Sequence, residues 1–232
     1  MDSNLDFGIK MPIKLFEVDG QWFGFTTTHV NTVIVILALT LFGLFVRAKL
    51  KNFKTIPDTK FQVFVELLVD GFEAFTMSTM GEKNKKFSMF YGPIFLFILL
   101  SNLTGLVGLR PPTADIATTF ALSLTTFFMV QMYGVRSKGF GGYYKELFEP
   151  VPVLFPLNVI GELSNPVSLS FRLFGNILGG TIIMALYYTM MPWFALIGIP
   201  SVLHLYFDIF AGVLQTFIFV MLSMTFVSSA ME

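Results

Sequence analysis

The 232-residue chain has no cysteine. That removes disulfides, thiolate metal sites and cysteine nucleophiles, and leaves no mark of redox compartment. Histidine is almost missing as well, with only His29 and His204, which argues against a histidine-rich metal centre. Charge is scarce: 13% of residues are Asp, Glu, Lys or Arg, against about 25% in an ordinary soluble domain. Fifteen basic and 15 acidic residues cancel to a net charge of zero, so nothing points to a nucleic-acid partner. Residues 1–28 mix both signs of charge and hold no apolar core of signal-peptide length, so no cleaved targeting segment is expected.

What fills the chain instead is apolar: 54% of it is hydrophobic, with 29 phenylalanines. So little charge could not keep so much apolar side chain wet, and the natural solvent for most of the chain is lipid. Residues 29–48 form an apolar run of bilayer-spanning length. Arg47, Lys49, Lys51, Lys54 and Lys60 come at its end and just beyond, which marks that side as cytoplasmic and puts the N-terminus outside. In residues 58–82, Phe61, Phe64, Val65, Leu68, Phe72 and Phe75 recur at spacings of three and four. Such a stripe predicts an amphipathic helix lying in the interface, with Glu66, Asp70 and Glu73 on a solvated face. Residues 87–109 and 116–134 read as the second and third spans, separated by Arg110, Pro111, Pro112 and Asp115. Gly139, Gly141 and Gly142 suggest a flexible loop on the basic side.

After Pro150, Pro152 and Pro156, residues 157–191 and 201–230 form two further long segments. The first exceeds the roughly 20 residues a perpendicular span needs, so a tilted helical hairpin is expected. The fold class is thus all-α and polytopic, one membrane domain of about five embedded helices plus an interfacial helix, with 1–28 as an outer lead-in. Eleven of the 15 Lys/Arg fall in the proposed cytoplasmic segments, and Lys10, Lys14 and Arg110 fall outside. The fifteenth is Arg172, inside an apolar stretch. No internal repeat of the kind common in secondary transporters is visible.

Ser168, Arg172 and Asn176 stand at i, i+4 and i+8, so on a helix they share one face. Gly175, Gly179 and Gly180 nearby would let another helix approach closely. An arginine at mid-membrane depth costs about 2.5–3.5 kcal/mol on insertion scales. Guanidinium cannot shed its proton to escape that cost, as lysine could. A site that needs a permanent positive charge would therefore use arginine. Two blander readings stay open: snorkelling to a headgroup, or an internal salt bridge with Asp208. On the last segment, His204 and Asp208 are i, i+4, with Gln215 two turns later near the same face. A membrane carboxylate beside a histidine fits an ion relay. A satisfied polar pair at the membrane edge fits too, and Gln215 could serve only helix packing. Asn102 and Thr104, within the second span, read as interhelical hydrogen-bonding residues.

The segment PVSLSFRLFGNILGG at 166–180 and the stretch Leu214 to Phe219 resemble the two signature regions of subunit a (subunit 6) of the bacterial F-type ATP synthase. The resemblance is anchored over roughly 150–230 and extends more loosely along the whole chain. It implies a non-catalytic subunit of the Fo sector in the bacterial plasma membrane, without cofactor. The C-terminus would lie outside or near the outer half. The implied partners are a ring of c subunits beside the hairpin, the subunit b stalk, the rest of the synthase and the lipid bilayer. On the resemblance, Arg172 matches the arginine that faces the ring carboxylates, and Asn176 and Gln215 match polar residues beside it. Thr181 falls where many relatives carry Glu or His, and Asp208 where many carry His or Glu. Both then line the outer half-channel, with Asp208 the ionisable member and His204 beside it. Glu162 would face the inner half-channel. Competing readings are a self-contained channel or secondary transporter, which would need a closed path within one chain, and an intramembrane protease or hydrolase. No facing aspartate pair, Gly-x-Ser-x-Gly or His-Glu-x-x-His motif supports the latter.

Overall fold

In a computed structural model of the chain, residues 13–18, 21–51, 53–54, 57–149, 151–196 and 198–232 are described. Lys10 and Pro150, used above as markers, lie outside these residues. Among the described residues, five helical segments are long and apolar enough to cross a membrane. They begin with α1 (Thr27–Leu50), α3 (Ser88–Leu103) and α4 (Ile116–Lys138). The 36-residue α6 (Phe155–Met190) follows. The fifth segment joins α7 (Ile199–His204), a π-helical turn at Leu205–Phe210, and α8 (Ala211–Met231). α2 (Lys60–Met80) is not one of the five. The protein is an all-α, multi-pass membrane protein.

Local chemistry starts and stops these helices. Thr26, Thr59 and Asp115 cap α1, α2 and α4, each side chain accepting a backbone N–H of the first turn. Arg47 and Lys49 close α1, and Arg136 and Lys138 close α4, at the negative ends of the helix dipoles. Pro156 sits in the first turn of α6, where no amide donor is missed.

The core lies where α3, α4, α6 and α8 meet. Ile98, Leu173, Met224 and Val227 are fully enclosed there, with Leu169, Phe219 and Val220 around them. The outside is as apolar as the inside: Leu41, Leu67 and Phe128 stand exposed, the inverse of a water-soluble surface. Polar bonds tie the helices together. Asn102 donates to the Gly212 carbonyl (2.9 Å) and to Thr216 (3.0 Å), and accepts from Thr113 (2.7 Å). Thr119 meets Ser170, and Thr126 meets Ser223, each at 3.0 Å.

The structure adds to several of these expectations and changes some. The polar lead-in contains an antiparallel pair of strands, β1 (Ile13–Val18) and β2 (Gln21–Phe25). The glycine-rich loop after α4 is a short helix, α5 (Phe140–Glu146). Only Gly139 uses the left-handed backbone there, with φ at 74°. Of the acidic residues on α2 read as solvated, Asp70 is exposed. Glu66 accepts from Gln62 (2.7 Å), and Glu73 pairs with Lys85 (2.7 Å). Thr104 bonds back to Ser101 within its own chain turn, not across helices.

Candidate functional site: an exposed arginine on a long helix and a cavity beside Asp208

α6 turns two different faces to its surroundings. Leu169, Ser170, Leu173, Ile177 and Gly180 are buried against the rest of the chain. Ser168, Phe171, Arg172, Gly175 and Asn176 are exposed. Ser168, Arg172 and Asn176 thus share the outward face that their spacing predicts. Added Cβ atoms at Gly175 and Gly179 would meet nothing within 4 Å, whereas one at Gly180 would lie 3.5 Å from Phe207. Two of the three glycines therefore leave the arginine's surroundings open, and the third closes the chain's own hairpin.

Among the described residues, Arg172 has no hydrogen-bond or ion-pair partner. The internal bridge to Asp208 is not formed; Asp208 pairs with His204. Beside the arginine, Asn176 donates to Gln215 Oε1 (2.5 Å). Gln215 is 2% exposed, and its Nε2 has no acceptor. Gln215 is thus hydrogen-bonded to Asn176, the residue with which the resemblance groups it.

The second constellation lies nearer the other end of the hairpin. Tyr188 Oη contacts His204 Nε2 (2.9 Å), and His204 Nδ1 contacts Asp208 Oδ2 (2.5 Å). The series is consistent with an Nδ1–H tautomer that donates to the carboxylate and accepts from the phenol. Asp208 lies in the π-helical turn, a distortion that often accompanies functional positions. An added Cβ at Gly105 would lie 3.7 Å from its carboxyl group.

A cavity of about 710 Å³ opens here, and Asn31, Asn102, Thr181, His204 and Asp208 are among its lining residues. Thr181 is nine residues beyond Arg172, about 14 Å further along α6 and half a turn around it. The helix body therefore separates cavity from arginine. Asn31 donates to the Arg110 carbonyl (2.8 Å) and ties α1 to the cavity rim.

Glu162, towards the opposite end of α6, accepts from Gln131 Nε2 (2.9 Å) on α4 and from Tyr143 Oη (3.3 Å) on α5. It is about 15 Å along the axis from Arg172. The sequence reading missed Tyr188, Asn31, Gln131 and Tyr143. Asn31 was visible as a polar residue within an apolar run, but the others contact residues on different elements, which spacing cannot report. No cluster of three or more His, Asp or Glu able to hold a metal exists among the described residues.

Comparison with known proteins matches residues 29–228 to the family model described as ATP synthase A chain. The chain is 36% identical to "ATP synthase subunit a, sodium ion specific" of Propionigenium modestum, over 92% of this chain and 78% of that protein. It is 36% identical to "ATP synthase subunit a" of Moorella thermoacetica, covering 88% and 89% of the two chains. The protein of the same name from Desulfosudis oleivorans is also 36% identical, with 95% of each chain covered.

Proposed function

Since the chain belongs to the ATP synthase A chain family, we propose that it is the stator ion-channel subunit of an Fo sector, lying beside a ring of c subunits. The observation that carries this reading is Arg172: an undischargeable cation on an open helix face, without a partner among the described residues. A counter-charge supplied by a neighbouring subunit fits this arrangement, and the open glycines beside it leave room for a passing helix.

Ions, H⁺ or Na⁺, reach the outer cavity along Tyr188, His204 and Asp208, and load a ring carboxylate. The neutralised carboxylate can then rotate through lipid at low cost. After most of a turn it returns towards Arg172 from the inner side, near Glu162. There the guanidinium favours the ionised carboxylate and expels the ion. At about 4 Å and an effective dielectric constant near 20, the attraction is about 4 kcal/mol, roughly three decades in ion affinity. Weak, transient pairing is required, since a tighter pair would stall rotation. The same charge blocks direct passage between the half-channels. The chain itself is non-catalytic in this scheme, and the N-terminus lies outside the bacterial plasma membrane. Subunit b and the remaining synthase complete the assembly.

Arg172→Ala should abolish ion-coupled ATP synthesis in membranes where the complex still assembles. Normal coupled synthesis in that variant would remove the assigned role. ATP-driven pumping in vesicles with and without Na⁺ identifies the ion.

A further inference from the structure

Two donors from two different elements converge on one carboxylate at the inner end of α6. Gln131 Nε2 reaches Glu162 Oε2 (2.9 Å), and Tyr143 Oη reaches Oε1 (3.3 Å). Tyr143 is 4% exposed although α5 is a short peripheral helix. Its ring packs against Gly134 of α4, where an added Cβ would come within 2.4 Å of the ring. The glycine is therefore the cradle that lets the phenol reach Glu162. Burial and then the Glu162 charge push the Tyr143 phenol well above its ordinary range, so its hydroxyl remains a donor. The other titratable neighbours of Tyr143 are Tyr144 and Glu146, and Glu146 is paired with Lys138 (2.6 Å). On the membrane side of Glu162 a cavity of about 20 Å³ touches Ser123, Thr126, Gln131 and Asn165. That is room for about one water.

We propose that Tyr143, seated on Gly134, is a positioning residue that latches Glu162 at the inner exit of the ion path. This rests on the function proposed above. The hydroxyl occupies one carboxylate oxygen, the amide occupies the other, and an ion leaving for the inner side must displace one of them. The latch thus sets how firmly the exit carboxylate holds an ion.

The test uses the whole complex in inverted vesicles, where ATP-driven pumping takes ions from the inner face. The half-saturating H⁺ or Na⁺ concentration is measured for uptake from that face, and for uptake from the outer face during synthesis. Tyr143→Phe should lower the inner value by about tenfold or more, as expected for loss of one hydrogen bond to a charged group, and leave the outer value unchanged. Gly134→Ala, which keeps the hydroxyl but displaces the ring, should shift the inner value the same way. The double variant should shift it no further than the larger single effect. If Gly134→Ala fails to assemble, Tyr143→Phe alone decides. Inner and outer values moving together, or neither moving, overturns the latch. Arg172→Ala membranes run alongside separate the two ideas. Retained synthesis there removes the proposed function, whereas abolished synthesis with an unmoved Tyr143→Phe value removes only the latch.

Discussion

The hydrogen bond between Asn176 and Gln215 should respond with opposite signs when broken from its two ends. Gln215 is enclosed, with Nε2 unpaired and Oε1 bonded to Asn176 alone. Gln215→Leu loses that one bond, about 1 kcal/mol net, and also removes the orphaned buried donor, which costs about 1–3 kcal/mol as it stands. The replacement is close in volume, so packing should add less than about 1.5 kcal/mol of strain. The net change is expected between neutral and about 1 kcal/mol stabilising. Asn176→Ala instead leaves both ends of the buried amide unpaired and should destabilise by about 1–3 kcal/mol. Thermal inactivation of the detergent-solubilised complex, followed by loss of the subunit from the assembly, measures both. Ion-driven synthesis should fall in both variants, since each removes a polar neighbour of Arg172. A Gln215→Leu complex less stable than Asn176→Ala would refute the reasoning, because the orphaned amide would then have a partner.

Asp208→Asn should slow ion flux in both directions by removing the charge that engages His204, and His204→Phe should slow it less; unchanged flux in vesicles would take Asp208 out of the path. Gly175→Leu or Gly179→Leu should leave the chain's own fold intact, since both positions are open, yet block rotation, read as lost ATP-driven pumping with assembly retained. Gly180→Leu should instead destabilise by about 1–3 kcal/mol against Phe207, seen as lowered thermal stability. Asn102→Leu should cost about 3 kcal/mol, through three lost bonds and the enclosed Thr113 hydroxyl left without its acceptor, measured in the same melt.

Helical spacing made some of this legible in advance. The common face of Ser168, Arg172 and Asn176, and the contact of His204 with Asp208, follow from i, i+4 geometry on a single helix. The bond of Gln215 to Asn176 joins two helices, which spacing along either helix does not report. Glu162 was singled out, but its donors Gln131 and Tyr143 lie 31 and 19 residues away. Spacing along one helix does not predict which residues of another helix it meets. Asn102 was assigned to helix packing and does bond across to α8, but it also lines the cavity beside Asp208. The glycines after α4 suggested flexibility, whereas Tyr143 and its ring contact with Gly134 fix a short helix there. The β1–β2 pair lies within a stretch whose mixed polarity gave no clear period.

Because the chain lacks cysteine, single cysteines can report on the arginine face without background. Cysteines introduced at Gly175 or Gly179, paired with one placed next to the acidic residue of a c subunit, should form zero-length disulfides in oxidised membranes. Cysteine at the buried Ile177 should not. Cross-links at 175 and 179 would put the Arg172 face against the moving carboxylates. Their absence, with the complex assembled, would contradict the account.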